Sequence, residues 1–195
     1  MLLGGVSRRM GRDKAHLTLE GVAFATRVAR TLSTLCEEVW LVGGEPPADA
    51  PGRAVPDGPG PVCALRGLAT ALEAARAPRV LVLATDLPLV TPPLLLALLA
   101  HGDAEVVLPR SSKGLEPLCA LYRREPALAA ARRRLDEGKL SLHGLLDTLA
   151  CRALGPEELA RLDPDGLALR NLNSPEDVAA AEAALAARRP GLSRS

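Results

Sequence analysis

The chain has 195 residues, a length at which one domain can bury a full hydrophobic core. Hydrophobic residues make up 48% of the sequence and charged residues 24%, which excludes a wholly disordered chain. The formal net charge of +1 gives no overall field that would attract nucleic acid or an anionic membrane, so any anion site has to be local. We expect a single domain over residues 1–190, with 191–195 as a frayed tail.

The cysteine pattern and the N-terminal sequence indicate a cytoplasmic protein. No Cys-x-x-Cys pair and no His at ligand spacing accompany the four cysteines, which argues against zinc and against a disulfide framework. Met1 is followed by neither a basic region nor a long apolar run, so the sequence predicts no signal peptide. The most apolar stretch, residues 87–100, is too short to span a bilayer and contains three prolines.

Short apolar runs alternate with helical patterns along the chain, which is typical of an α/β protein with a mostly parallel sheet and helices on both faces. We predict strands at residues 1–3, 38–42, 53–55, 80–85, 105–108, 118–122, 151–154 and 167–170. We predict helices at residues 22–36, 62–76, 92–101, 126–137, 141–149 and 175–188. Thr91 and Ser174 each precede a proline at a predicted helix start, and Asp177 completes a variant capping box after Ser174.

Candidate ligand-binding residues follow three of the predicted strands. The run at 80–85 is apolar without alternation, which indicates a central strand covered on both faces, and Asp86 comes directly after it. Gly4 follows the first strand, and Asp57 follows the third. Ligands of open α/β sheets bind at the carboxyl ends of strands, so we expect these residues at one edge of the sheet.

The strongest signal is the loop over residues 2–14, with the sequence LLGGVSRRMGRDK. Gly4 and Gly5 allow backbone N–H groups to approach phosphate oxygens closely. A triphosphate would make favourable charge-assisted hydrogen bonds with the four cations of this loop, Arg8, Arg9, Arg12 and Lys14. The alternative is a solvated basic loop before a helix. The loop matches neither a Walker A motif nor Gly-x-Gly-x-x-Gly.

This loop resembles the signature loop of the molybdenum cofactor guanylyltransferase family. Four further segments are similar to that family in the same order, so that the resemblance covers nearly the whole chain: Asp57 with Gly60-Pro61, Thr85-Asp86-Leu87-Pro88, residues 116–122, and the closing NLNSPED at 171–177. The resemblance implies a three-layer, Rossmann-like nucleotidyltransferase fold. It also implies transfer of GMP from GTP to the terminal phosphate of molybdopterin, with release of pyrophosphate.

The resemblance also assigns roles to individual residues. Arg9, Lys14 and Asp86 would be catalytic, and Asp86 would hold Mg²⁺. Asn171 and Asn173 would serve the molybdopterin acceptor, which another protein of the cofactor pathway could deliver. The nucleotide would be held by Leu2, Leu3, Gly4, Gly5, Lys14, Asp57 and Asp86.

From the residues alone, each of these motifs has a structural alternative. Asp86 could be a turn residue before Pro88, and Asp57 lies in a Gly/Pro-rich turn. The two asparagines could form a turn before the Ser174 cap. Arg110 and Lys113 flank a loop that could close over the acceptor, although such a loop is more often simply exposed.

The sequence also departs from the family pattern. Gly43-Gly44 stands where some relatives carry an Asn directed at the base, which leaves the choice of base open. The first strand is short, which a true start upstream of Met1 would explain. The competing functions are a cytidylyltransferase or sugar-phosphate nucleotidyltransferase of the same fold, and a non-catalytic nucleotide-binding module.

Overall fold

The structure is a computed structural model and describes residues 1–3, 6–7, 12–101 and 103–188. The predicted tail at 191–195 lies outside these residues. The helices are α1 (Phe24–Ser33), α2 (Ala64–Ala74), α3 (Pro92–Ala100), α4 (Arg124–Asp136), α5 (Leu142–Leu146), α6 (Pro156–Leu162) and α7 (Pro175–Ala187). The strands are β1 (Val6–Ser7), β2 (Arg12–Asp13), β3 (Thr18–Leu19), β4 (Val22–Ala23), β5 (Trp40–Val42), β6 (Arg53–Val55), β7 (Arg79–Leu83), β8 (Val106–Ser111), β9 (Gly114–Leu115), β10 (Cys119–Arg123) and β11 (Cys151–Leu154).

The principal strands lie side by side in the order β6, β5, the first three residues, β7, β10, β8 and β11. Leu2 joins the two halves of this arrangement, because it bridges in parallel to Val42 on one side and to Ala84 on the other. β5 pairs with β6 in parallel, as β8 does with β11. The expected α/β class is therefore confirmed.

One strand departs from the predicted parallel arrangement. β10, predicted at 118–122, runs antiparallel to both of its neighbours, β7 and β8. A parallel crossover needs a dozen or more residues, whereas the β8–β10 connection consists of a tight hairpin through β9 and three further residues. This connection leaves β10 only the antiparallel orientation.

Successive residues of the strands enter two hydrophobic clusters. Leu3, Leu41 and Leu83 pack with residues of α1 and α3 in the first cluster. Their neighbours Leu2, Val42 and Val82 pack with residues of α2 and α4 in the second. Because side chains alternate between the faces of a strand, helices cover opposite faces of these strands.

A third cluster fixes the segments beneath the candidate site. It joins the β3–β4 hairpin and the start of α1 to the chain after β7, to the segment before α7 and to α7 itself. Its buried members are Leu17, Leu19, Phe24, Leu89, Leu167, Leu172 and Ala181. The hairpin turns at Glu20 and Gly21, which both have positive φ angles of 51° and 77°. Residues 22–23, predicted as the start of a helix, are thus a strand.

The segments around residues 91, 167–170 and 174 differ in how far they agree with the predictions from the sequence. The strand predicted at 167–170 is wrong, because the N–H groups of Leu167 and Ala168 donate to the Asp163 carboxylate instead of to a neighbouring strand. The capping box of Ser174 and Asp177 is confirmed. The Thr91 side chain makes no capping hydrogen bond at α3, so the predicted cap is wrong.

Among the described residues, no helix combines the length and the hydropathy needed to cross a membrane.

Candidate nucleotide-binding site

The expectation that several candidate residues meet at one edge of the sheet is confirmed. β5, β6, β7 and the first three residues run in the same direction, so their carboxyl ends lie at the same edge. Asp57 follows β6, Gly43 follows β5, and Asp86 follows β7. The glycine-rich loop begins from the segment between β5 and β7. The loop residues Gly4, Gly5 and Arg9, to which roles were assigned, lie outside the described residues.

Lys14, Asp86 and Asn173 form the central cluster of the site. The Lys14 Nζ donates to Asp86 Oδ2 at 3.1 Å and to Asn173 Oδ1 at 2.5 Å. The side chains of Lys14 and Asp86 are only 19% and 17% exposed, so this ion pair is shielded more than a surface pair. The structure thus unites three segments that are far apart in the sequence. It also joins Lys14 and Asn173, which the sequence had placed in separate halves of the site.

Backbone contacts hold Asp86 in this position. Its carbonyl oxygen accepts from the N–H of Leu172 at 3.0 Å, and the Leu172 side chain is fully buried in the third cluster. One residue earlier, the backbone N–H and the hydroxyl of buried Thr85 both donate to the carbonyl of Leu2, at 3.2 and 2.7 Å. Thr85 therefore ties the end of β7 to the first strand segment.

The N-terminal cap of α7 holds Asn173. The Asp177 carboxylate accepts from the N–H groups of Asn173 and Ser174, at 2.9 and 3.0 Å, while the Ser174 hydroxyl accepts from the N–H of Asp177 at 3.2 Å. The hydrogen bond from the Asn173 N–H is the main reason that the pKa of Asp177 is lowered. The cap therefore positions the asparagine that contacts Lys14.

Asn171 lies on the other side of Leu172 from Asn173. Its side-chain Oδ1 is buried and has no hydrogen-bond partner in the described part of the chain. A buried carbonyl oxygen without a donor is costly, so this atom is a candidate acceptor for a ligand donor. The structure brings Asn173 to Lys14 and leaves Asn171 with this unfilled bonding capacity.

Asp57 lies against Gly43 at the outer end of the site. An ideal Cβ built on Gly43 would lie 2.8 and 2.9 Å from the two carboxylate oxygens of Asp57. Gly43 and Gly44 also have φ angles of 72° and 58°, in the left-handed region that favours glycine. The two glycines therefore allow the chain to turn beneath Asp57, and a side chain at position 43 would be strained and would displace the Asp57 carboxylate.

Leu2 and Leu3 form the base of the site. Leu2 donates its N–H to Leu83, and Leu3 donates its N–H to Val42, both at 2.8 Å. Both side chains are buried in the two clusters that flank the strands. Their backbone N–H groups are thus used within the sheet, and the assignment of Leu2 and Leu3 to the nucleotide stays a prediction.

Sequence reasoning missed two residues that position this edge. The Thr70 hydroxyl accepts from the N–H of Gly58 at 3.1 Å, which fixes the turn that carries Asp57. His16 Nε2 lies 2.9 Å from the carbonyl of Glu45, so it links the turn after Lys14 to the segment after Gly44. A polar residue within the otherwise apolar face of α2 was the available signal for Thr70.

Arg110 and Lys113 are exposed, in agreement with the interpretation of their loop as a simply exposed one.

Comparison with known proteins identifies the family. The family model of the MobA-like NTP transferase domain matches residues 1–150. This chain belongs to that family. A protein of Chloroflexus aggregans named "Probable molybdenum cofactor guanylyltransferase" is 37% identical over 194 residues, which cover 95% of this chain and 93% of the relative.

Solved structures show that the fold of this MobA-like transferase is shared more widely. Molybdopterin-guanine dinucleotide biosynthesis protein A of Archaeoglobus fulgidus superposes with a TM-score of 0.78, at 23% identity, over 95% of this chain and 97% of that one. A cytidylyltransferase of Thermus thermophilus, which acts on 2-C-methyl-D-erythritol 4-phosphate, superposes with a TM-score of 0.69 at 17% identity, over 89% and 94% of the two chains. At these identities the likeness concerns the fold alone.

The side chains of the MobA-like site suit a metal that brings ligands of its own. Within the described ranges, no group of three or more His, Cys, Asp or Glu residues could hold a metal ion. Asp86 and Asn173 do offer a carboxylate and a carbonyl oxygen that contact the same ammonium group. Mg²⁺ in enzymes commonly takes one or two carboxylates and completes its shell with substrate phosphates and water. The donor set therefore fits Mg²⁺ bound together with a nucleotide.

Proposed function

We propose that this protein is a molybdenum cofactor guanylyltransferase, which transfers GMP from GTP to the terminal phosphate of molybdopterin. An oxygen of that phosphate attacks the α-phosphorus of GTP and forms the new P–O bond. The bond between the α-phosphorus and the bridging oxygen to the β-phosphorus breaks, and pyrophosphate leaves. The family relationship supports this reaction, as does the name of the Chloroflexus aggregans relative.

The order of residues along the sheet edge is the observation that carries the proposal. Asp57 and Gly43 lie at the β5 end, the glycine-rich loop starts from the next segment, and Lys14 and Asp86 lie at the β7 end. Two inter-strand spacings, about 10 Å, separate the ends of β5 and β7. Along this edge, the residue proposed for the nucleoside comes first and the residues proposed for the phosphates follow. The parts of a nucleoside triphosphate have the same order. Asp57 would accept hydrogen bonds from guanine or ribose donors.

The phosphate end of the site would act mainly by positioning and charge stabilisation. Gly4, Gly5 and Arg9 of the loop would bind the triphosphate, with Lys14 as a mobile point charge that follows the charge onto pyrophosphate. Asp86 would hold Mg²⁺, which when bound supplies charge stabilisation to the phosphate oxygens. Asn173 would orient Lys14 and the acceptor phosphate.

Asn171 is the residue we assign to the acceptor. Its buried Oδ1, which has no partner among the described residues, can accept a hydrogen bond, and molybdopterin carries N–H donors on its pterin ring. We also propose a cytoplasmic location, delivery of molybdopterin by another protein of the pathway, and a single three-layer domain over residues 1–190. The two hydrophobic clusters that flank the strands support the three-layer arrangement.

The choice of nucleotide tests the proposal, because a cytidylyltransferase shares the fold. We expect GTP with Mg²⁺ to raise the melting temperature well above the value with CTP, ATP or UTP at equal concentration. A ligand at 100 times its Kd stabilises the folded state by about 2.7 kcal/mol, which a thermal-shift measurement detects easily. A larger shift with CTP would instead indicate a cytidylyltransferase.

A further inference from the structure

The Lys14 ammonium group occupies the space between the two oxygen donors proposed for the metal end of the site. It donates to Asp86 Oδ2 and Asn173 Oδ1 at the same time. Asp86 is therefore neutralised by a residue of the chain itself. A divalent cation that approached Asp86 would meet a positive charge about 3 Å from the carboxylate.

We propose that Lys14 blocks the metal site in the nucleotide-free protein, so that the divalent cation binds only together with the nucleotide. This inference rests on the proposed assignment of Asp86 as the metal ligand. Lys14 is here a positioning residue for metal entry, in addition to its proposed contact with phosphate.

The physical reason is an exchange of partners around one carboxylate. Without nucleotide, the metal would have to displace a hydrogen-bonded ammonium group and would gain one carboxylate and one neutral oxygen, which is a weak ligand set for Mg²⁺. A triphosphate offers the lysine several charged oxygens in place of Asp86 and offers the metal further ligands. The four-carbon stem of lysine allows this movement without a change of the backbone.

The surrounding contacts favour a movement of Lys14 and not of Asp86 or Asn173. The carbonyl of Asp86 is bonded to Leu172, and the backbone of Asn173 is bonded to the Asp177 carboxylate. The backbone positions that carry the two oxygen donors are thus held by hydrogen bonds. Lys14, by contrast, follows the glycine-rich loop, and its contacts to these donors are made through a flexible side chain.

The test is titration of Mn²⁺ by electron paramagnetic resonance, without and with GTP, on the full chain. The variants are Lys14→Met, which removes the ammonium group at similar length, and Lys14→Met with Asp86→Asn. Lys139→Met is the matched control, because Lys139 forms an exposed ion pair with Glu137 and its loss also frees one carboxylate. Circular dichroism checks folding, and Lys14→Gln replaces Lys14→Met if that variant unfolds.

Without GTP, we expect Lys14→Met to bind Mn²⁺ at least tenfold more tightly than the unaltered protein. The gain should be absent in Lys139→Met and in the double variant. Equal GTP-free affinity in Lys14→Met and the unaltered protein would overturn the inference, as would a gain that survives Asp86→Asn. If the unaltered protein binds no Mn²⁺ even with GTP, the proposed function itself fails, which is a different result.

Discussion

At the level of single residues, Gly43 and Asp57 show how backbone geometry prepares a binding surface. The carboxylate of Asp57 lies where any side chain at position 43 would begin, and Gly43 adopts a φ angle of 72°. The sequence showed Gly43-Gly44 only as a departure from an Asn found in relatives. In the structure, a Cβ at position 43 would be strained by the turn and would displace the Asp57 carboxylate.

Gly43→Ala should therefore destabilise the protein and also weaken GTP binding. The strained φ costs about 1 kcal/mol or more, and displacement of the Asp57 carboxylate adds to this cost. Gly138→Ala is the matched control, since Gly138 has a φ of 69° but nothing within 4 Å of an added Cβ. Chemical denaturation and calorimetry with GTP–Mg²⁺ would measure both effects. The same loss of GTP affinity in both variants would show that strain alone is responsible and that Asp57 has no role.

The residues of the central cluster were predictable, but their contacts were not. Lys14, Asp86 and Asn173 were each selected from the sequence as chemically active residues. Their direct contact depends on the packing of Leu172 in the third cluster and on the α7 cap. Both involve residues more than 80 positions away from Lys14, and short sequence patterns carry no information about such distant packing.

At the level of elements, the N-terminus of α7 links helix stability to the site. Its capping box includes the hydrogen bond from the Asn173 N–H to the Asp177 carboxylate. The local pattern Ser-Pro-Glu-Asp made this cap predictable. The antiparallel β10 and the turn at 167–170 were not, because an apolar run does not reveal its partner, and Asp163 supplies hydrogen bonds that a strand would otherwise provide.

Asp177→Ala should lower the free energy of unfolding by about 1 kcal/mol and also slow guanylate transfer, because Asn173 loses its anchor. Glu158→Ala is the control: it removes the carboxylate that accepts from the N–H of Gly155 at the start of α6, an element that carries no proposed site residue. We expect a similar loss of stability there with transfer retained. Equal rates of transfer in the two variants would contradict the proposed link.

The same cap should respond to acid. In the folded protein the pKa of Asp177 lies below its ordinary value of 3.8, chiefly because the carboxylate accepts the hydrogen bond from the Asn173 N–H. The contribution of the Asp177 carboxylate to stability is therefore fully present above its pKa in the unfolded protein. It is lost as the pH falls through its pKa in the folded protein. The difference in stability between the unaltered protein and Asp177→Ala should shrink below pH 3.8.

At the level of the whole molecule, the sheet order places the candidate nucleotide residues along one edge. The α/β class and most helices and strands followed from periodicity, and ligand binding at the carboxyl ends of strands followed from the class. The central position of the first three residues, between β5 and β7, could not be deduced from so short a segment. It depends on hydrogen bonds to Val42 and Leu83.

Transfer of the α-phosphate of radiolabelled GTP to molybdopterin, in the unaltered protein and in Asp86→Asn, tests the central claim most directly. We expect the unaltered protein to form a labelled dinucleotide and an equal amount of pyrophosphate. Asp86→Asn should reduce the rate by at least about 100-fold, equal to about 2.7 kcal/mol of barrier, with the fold retained by circular dichroism. No labelled dinucleotide from the unaltered protein, or full activity in Asp86→Asn, would contradict the account.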